Sequence, residues 1–174
     1  MPELHPFVAY LQGLAEREER GALAALRRGL GQPPGTVPAM YPYVVPWLPQ
    51  ESGAWREAPY YHVAALFALH PAAGGSGNLG AAFRLARGEE ENEAIERRFT
   101  ALLAAHPDDL PDYLRQAVGF LRSKGVPVDW NQLFLDIQHW SHPERIVQKD
   151  WARRFWERVE ANSNQADHQK DKEE

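Results

Sequence analysis

The sequence predicts an all-α protein, a compact bundle of roughly eight or nine short helices with no sheet. Apolar residues recur three and four positions apart through most of the chain, and no segment shows the apolar-polar alternation typical of a strand. At 174 residues, of which 44% are hydrophobic, the chain is long enough to bury its own core. We expect one all-helical domain over residues 1–161, or two helical lobes that meet near the glycine loop at 71–80, and a disordered charged tail at 162–174.

The first two helices are predicted from leucine-rich spacing. Residues 3–15 place one set of apolar side chains on a common helical face, namely Leu4, Phe7, Val8, Leu11 and Leu14. Residues 17–34 form a second helix, ended by glycine and proline, with an apolar face of Leu23, Leu26 and Leu30. Arg20 and Arg27 flank this face and Arg28 lies on the solvent side, where guanidinium groups are available to an anion. Taken alone, the pattern is more typical of an ordinary amphipathic surface helix.

Prolines are too dense in residues 33–50 for a long helix, because each removes a backbone donor. We expect an irregular connection with short turns, anchored in the core by Tyr41, Tyr43, Val44, Val45 and Trp47. The segment from Ala58 to His70 is apolar on most sides, which predicts a central helix that Pro71 ends. The segment AAGGSGNLG that follows has glycines at the spacing of a dinucleotide-binding loop. It follows a helix rather than a strand, so we interpret it as a mobile surface loop.

Capping residues predict two helices in the middle of the chain. Asn78 caps a short helix that ends at Gly88. The next helix starts in the acidic stretch 89–93 and turns basic at Arg97 and Arg98, the order that its dipole favours. Its buried face is expected to consist of Ile95, Phe99 and Leu102.

A longer helix is predicted from Asp109, its N-terminal cap, to Lys124 and Gly125 at its end. Its core stripe consists of Leu110, Leu114, Ala117 and Leu121. Arg115 and Arg122 are seven residues apart and therefore form a basic stripe along one flank.

Two more helices are predicted near the carboxyl end. Asp129 and Gln132 resemble a capping box, which opens a helix whose core positions are Trp130, Leu133, Ile137 and Trp140. Ser141 and Glu144 repeat this signature before the last helix. One side of that helix carries Val147, Trp151, Phe155 and Val159. Another side carries Arg145, Lys149 and Arg153.

Charge and residue types narrow the classes of function. The net charge of −5 argues against nucleic acid as a partner, although the basic residues fall in pairs such as Arg153 with Arg154. The absence of cysteine excludes disulfides and thiolate sites, and the seven histidines lack metal-ligand spacing. Ser76 has no base nearby in sequence to activate it as a nucleophile. We therefore expect no metal, no cofactor and no catalysis. Neither a signal-peptide pattern nor a membrane-length apolar run occurs, so we expect a cytoplasmic protein.

The arginine-bearing flanks of the helices remain as candidates for function. Arginine presents a planar fork that can bind phosphate in two places. Such side chains on a rigid helical scaffold, without a groove-reading motif, suit a nucleic-acid backbone rather than a base sequence. An adaptor whose arginines pair with acidic partner surfaces is the main alternative, and a hydrolase built on Ser76 is a further one.

The order of several motifs resembles a known family. They are RGALAALRRGLG with the proline-rich PAMYPYVVPWLP, then GNLGAAFRLA, NEAIERRFTALLAA, YLRQAVGFLRSKGVPVDW, DWNQLFLDIQHW and WARRFW. In this order and spacing the chain is similar to the CasB-type small subunit of the type I-E CRISPR surveillance complex, Cascade, and in particular to Thermus-type members. The resemblance covers residues 17–160.

The resemblance implies an all-helical, non-catalytic subunit that packs beside a second copy of itself and other Cascade subunits. It implies that basic residues contact guide RNA, target DNA and the displaced strand, and so stabilise the R-loop in antiviral defence, while base pairing reads the sequence. Matching the motifs carries this nucleic-acid-binding role onto Arg27, Arg28, Arg84, Arg98 and Arg115. Helix geometry adds Arg122, Lys124, Arg145 and Lys149.

Overall fold

A computed structural model describes residues 2–89 and 92–158, and in these ranges the chain forms nine α-helices and no strand. They are α1 (Pro6–Glu16), α2 (Arg20–Arg27), α3 (Tyr41–Val44), α4 (Ala54–Leu69), α5 (Leu79–Arg87), α6 (Glu93–Leu103), α7 (Leu110–Ser123), α8 (Trp130–Gln138) and α9 (Ile146–Phe155). The all-α prediction and the expected number of helices are confirmed. None of these helices is long and apolar enough to cross a membrane. The predicted tail at 162–174 and the core position of Val159 lie outside the described residues.

Helix α4 lies at the centre of the core, as its apolar sequence predicts. Residues 59–61 and 63–68 are buried, and α2, α7 and α8 pack around them. The helix begins at Ala54, one turn earlier than expected, and so contains Pro59. A proline this close to the start is tolerated because it deprives only the Trp55 carbonyl of a helical partner.

A row of aromatic rings joins four helices on the other side of the core. Ring centres lie 5.5 Å apart for Phe120 and Phe83, 5.1 Å for Phe83 and Phe99, and 4.4 Å for Phe99 and Phe155. We call these four residues the aromatic row. Since they come from α7, α5, α6 and α9, the row fixes these helices relative to one another.

The amino-terminal helices are shorter than predicted. His5 caps α1 by accepting a hydrogen bond from the Phe7 amide at 3.1 Å, so Leu4 precedes the helix and is 48% exposed rather than buried. The side chain of Asn131 in α8 accepts from the His5 amide at 2.8 Å and donates to the Glu3 carbonyl at 3.1 Å. Residues 3–5 are thereby held outside the helix. Helix α2 ends at residue 27, before the predicted stop.

Residues 33–50 form a connection with three short turns, the single-turn α3 between two 3-10 turns, Pro38–Met40 and Val45–Trp47. Val44 is buried, and Tyr43 and Trp47 pack partly buried against the core, as expected. Tyr41 and Val45 are exposed, because a single helical turn presents only one side to the core.

The predicted caps are confirmed in part. The side chain of Asn78 accepts from the Ala81 amide at 3.1 Å, and that of Asp129 accepts from the Gln132 amide at 2.9 Å. Asn92 caps α6, which therefore starts at residue 93 rather than within 89–93. Asp109 occupies the cap position of α7 without a side-chain hydrogen bond. The second capping signature, at residues 141 and 144, is wrong, since α9 begins only at residue 146.

The glycine loop lies at the surface, as predicted, and is packed closely against the rest of the chain at Gly75. A Cβ atom on Gly75 would lie 2.1 Å from the backbone carbon of Val128, so only glycine fits there. His70, at the start of the segment, is buried and its Nε2 lies 2.7 Å from the carbonyl oxygen of Val126. The segment is therefore anchored to the connection between α7 and α8.

Candidate nucleic-acid interface

Three of the predicted basic residues lie at the carboxyl end of α2. Arg27 is in the last turn and Arg28 is the C-terminal cap, and both are exposed. Arg115 reaches the same place from α7, since a Cβ atom on Gly31 would lie 2.8 Å from its Nη1. Gly31 has φ +73°, a left-handed conformation in which the missing side chain lets the chain turn close to Arg115.

A cavity of about 520 Å³ opens beside Arg115, between the segment after α2, α4 and α7. Asp108, Asp112 and His62 also line it. Burial lowers the pKa of His62, and the nearby carboxylate of Asp112 opposes that shift. The carboxylates of Asp108 and Asp112 outnumber the one guanidinium in the cavity, so the cavity does not suit a small anion. An anionic partner is expected instead at the exposed cations outside it.

A second group of cations surrounds one ring of the aromatic row. The guanidinium carbon of Arg98 lies 4.8 Å from the centre of the Phe120 ring, and Nζ of Lys124 lies 5.9 Å from it. We call these three residues the Phe120 cluster. Both distances are within reach of a cation–π attraction. One cation comes from α6 and the other from the end of α7, so the cluster depends on the packing of these two helices.

The two groups lie on opposite flanks of α7. Arg115 and Phe120 are five positions apart, which turns their side chains about 140° from each other around the helix axis. Arg122, seven positions after Arg115, lies on the first flank, and Lys124, four positions after Phe120, lies on the second. The first flank and the end of α2 together form what we call the α2–α7 patch, which consists of Arg27, Arg28, Arg115 and Arg122. Six of the nine predicted residues therefore fall into two groups rather than on one face, and Arg84, Arg145 and Lys149 belong to neither.

Two of the predicted residues are occupied by protein groups. Nη1 of Arg84 lies 2.9 Å from the Glu157 carboxylate, and the Arg84 side chain is only 27% exposed. The guanidinium of Arg145 donates to the carbonyl of Leu103 at the end of α6, where helix carbonyls are otherwise unpaired. Its backbone has φ 52°, outside the helix, so Arg145 does not share a helical face with Lys149. Lys149 is exposed on α9.

None of the other seven basic residues has a carboxylate oxygen within 4.0 Å among residues 2–89 and 92–158. These are Arg27, Arg28, Arg98, Arg115, Arg122, Lys124 and Lys149. All seven are exposed. By contrast, Nη1 of Arg153 lies 3.3 Å from Oδ1 of Asp150, and Nη1 of Arg154 lies 3.6 Å from Oε1 of Glu157. The part of the chain described thus leaves these seven charges available to a partner.

Two pairs of a cation and an aromatic ring were not predicted. The guanidinium of Arg87 lies 4.6 Å from the ring centre of Phe155, at the opposite end of the aromatic row from the Phe120 cluster. Trp55 is 78% exposed, with the Arg56 guanidinium 5.8 Å from the centre of its indole. The adjacent positions of Trp55 and Arg56 could have indicated this second pair. No sequence signal connects Arg87 with a ring in another helix.

The other candidate chemistry has local structural explanations. In the described ranges no group of three or more histidine, aspartate or glutamate side chains could hold a metal ion. Nδ1 of His139 lies 2.9 Å from the Leu135 carbonyl, and His142 accepts from the Glu144 amide at 3.2 Å. Ser76 is exposed on the glycine loop.

Comparison with known proteins agrees with the motif order. The family model for CRISPR-associated protein Cse2 matches residues 22–156. The CRISPR-associated protein Cse2 of Thermus thermophilus is 38% identical over 151 residues, which cover 84% of this chain and 83% of that protein. A crystal structure of a Cse2 family protein from the same organism aligns with a TM-score of 0.72 at 36% identity, over 86% of this chain and 95% of that one. A chain from a CRISPR RNA-guided surveillance complex, pre-nicking, aligns with a TM-score of 0.75 at 29% identity, over 86% and 89%.

Proposed function

Because this chain belongs to the CRISPR-associated Cse2 family, as the motif order predicted, we propose that it is a non-catalytic subunit of the type I-E surveillance complex, Cascade. In that complex it binds the backbones of guide RNA, target DNA and displaced strand and stabilises the R-loop in antiviral defence. The similarity to a chain of an RNA-guided surveillance complex supports the assignment to such an assembly. Base pairing supplies the sequence specificity, so this subunit needs only backbone contacts.

The observation that carries the nucleic-acid role is the set of exposed cations in the α2–α7 patch. Arg27 and Arg28 end α2, and Arg115 reaches from α7 to Gly31, three residues after Arg28. None of the three has a carboxylate oxygen within 4.0 Å among the described residues. A chain of net charge −5 that leaves cations unpaired at one place is arranged for a local anionic partner rather than for general attraction to nucleic acid. Phosphate contacts of this kind position a protein without reading bases.

The test is target binding by the complex reconstituted with the double variant Arg27→Gln/Arg28→Gln. The slope of log affinity against log salt is negative, and each lost phosphate contact makes it shallower by about 0.7 on a single strand or about 0.9 on duplex. Two lost contacts should therefore make the slope shallower by about 1.4 to 1.8. The matched control is Arg153→Gln/Arg154→Gln, which removes the same charge from two ion-paired residues. Equal slopes for the two variants would show that the α2–α7 patch does not bind phosphate.

The second candidate function is a helical adaptor that makes only protein contacts. The exposed Trp55, with Arg56 beside it, favours this function, because tryptophan and arginine dominate the energetics of protein interfaces. The adaptor is indicated if Trp55→Ala prevents incorporation of the chain into the complex while Arg27→Gln/Arg28→Gln leaves target binding and its salt slope unchanged.

We also propose, from the family assignment, that a second copy of the chain packs beside the first in the assembled complex. We propose further that the complex acts in the cytoplasm and that residues 1–161 act in it as a single domain. Native mass spectrometry of the reconstituted complex counts the copies directly, and a single copy would contradict the pairing.

A further inference from the structure

The ring of Phe120 is held in a fixed orientation by the core. It is half-buried on α7, and its centre lies 5.5 Å from that of Phe83 with the ring planes at 33°. Phe83 is completely buried and packs in turn on Phe99. Close-packed neighbours prevent the Phe120 ring from reorienting, so it is a rigid surface for any group that packs on it.

Two cations from different helices are held at this one ring. Since their distances to its centre are 4.8 Å and 5.9 Å, the charges of Arg98 and Lys124 lie at most about 11 Å apart, a separation at which like charges still repel in water. The negative face of the ring attracts both and offsets that repulsion. With no carboxylate within 4.0 Å in the described ranges, the charge of the pair is not neutralised by those parts of the chain.

A pair of fixed, uncompensated cations at this spacing fits one strand of nucleic acid. In a duplex each strand carries one phosphate per about 3.4 Å of helix axis, so two charges up to about 11 Å apart can contact nearby phosphates of the same strand. A ring that is half-buried and already covered by two cations has little free face for stacking a base. The spacing of the two charges and the covered ring therefore suit a phosphate backbone better than a base.

We propose that Phe120 is a positioning residue that holds Arg98 and Lys124 as a two-cation clamp for the phosphate backbone of one nucleic-acid strand. This proposal rests on the proposed function and names a second contact site for it, separate from the α2–α7 patch. The clamp lies on the opposite flank of α7, so it contacts a different stretch of backbone from the one held by Arg27 and Arg28.

The experiment measures target-strand affinity of the reconstituted complex as a function of salt. Phe120→Met keeps the charge and most of the volume but removes the ring face, and should weaken binding by about two- to fivefold. Phe120→Tyr keeps the ring and should bind like the wild type. Arg98→Gln/Lys124→Gln should make the negative salt slope shallower by about 1.4 on a single strand, against no change for the control Arg153→Gln/Arg154→Gln.

A positioning role predicts that Phe120 acts only through the two cations. Phe120→Met should therefore weaken binding no further when it is combined with Arg98→Gln/Lys124→Gln, whereas a general structural role would give additive losses. Additivity, or wild-type binding by Phe120→Met, would overturn the positioning role. If Phe120→Met fails to fold, the double variant Arg98→Gln/Lys124→Gln still tests whether the clamp binds phosphate. If the double variant Arg98→Gln/Lys124→Gln has the same slope as the control while Arg27→Gln/Arg28→Gln still makes the slope shallower, the clamp alone is overturned. If both double variants have the slope of the control, the proposed function is overturned as well.

Discussion

Replacing Gly80 by alanine should force α5 away from α9. Gly80 lies in the first turn of α5, and a Cβ atom there would lie 1.9 Å from the carbonyl oxygen of Trp151 and 2.7 Å from its carbonyl carbon. Both are backbone atoms, so no side-chain rotation can relieve the clash. The two helices must move apart, which loosens the packing of the fully buried Phe83 and Phe155.

The magnitude follows from two opposing effects. Overpacking of a well-packed interface costs about 1–3 kcal/mol. Alanine is the better helix former and regains at most about 1 kcal/mol. We expect Gly80→Ala to lower the free energy of unfolding by up to about 2 kcal/mol, which corresponds to a Tm lower by up to about 8 °C for a chain of this size.

Gly119→Ala is the matched control, because Gly119 lies within α7 and no atom beyond its chain neighbours and the adjacent helix backbone is within 4 Å of the position its Cβ would take. Here only the helix propensity acts, and the same substitution should raise stability by about 0.5–1 kcal/mol. The assay is urea and thermal unfolding of the full chain followed by circular dichroism. Shifts of the same sign for both variants, or a higher Tm for Gly80→Ala, would refute the close contact between α5 and α9.

Two further predictions concern charged side chains. Burial raises the pKa of Asp136 despite the hydrogen bond of 2.7 Å from Trp151, so the wild type should lose stability relative to Asp136→Asn as the pH rises from 3.8 through the folded-state pKa. A difference in unfolding free energy that does not change with pH in acid titrations would contradict this. Arg84→Gln breaks a partly exposed ion pair with Glu157 that is worth about 0–1 kcal/mol, so Tm should fall by no more than about 4 °C. It should also weaken target binding less than Arg28→Gln does, and equal losses in the binding assay would argue otherwise.

The helical fold is largely predictable from the sequence, because helix periodicity is a local property. Every predicted core residue of α7 is buried, as are Ile95, Phe99 and Leu102 in α6. Asn78 caps α5 through its own side chain, three residues from the amide it binds. Such signals depend on neighbours within one or two turns, so they survive in any tertiary context that leaves the helix intact.

The failures occur where distant contacts determine the local backbone. Ser141 and Glu144 have the spacing of a capping box, but the left-handed Arg145 starts α9 later and is held by a hydrogen bond to Leu103, 42 residues away. The tight packing of Gly75 on Val128, within the glycine loop, was likewise not predicted. Neither contact leaves a periodic signal in the sequence.

The candidate interface was predictable only in its parts. Seven-residue spacing placed Arg115 and Arg122 on one flank of α7, and the exposure of Arg28 agrees with its predicted solvent side. The contact of Arg98 with the Phe120 ring could not be predicted, because it depends on how α6 packs on α7. The ion pair of Arg84 could not be predicted either, because its partner, Glu157, lies 73 positions later in the chain.

The hydrogen bonds of Asn131 determine an order of events in folding. Its amide group holds Glu3 and His5, which precede it by 128 and 126 positions, so this contact cannot form before most of the chain has been synthesised. Closing so long a loop carries a large entropic cost that local helix formation does not. The segment before α1 is thus synthesised well before α8 and is among the last parts to reach its native place, where it connects the start of α1 to α8.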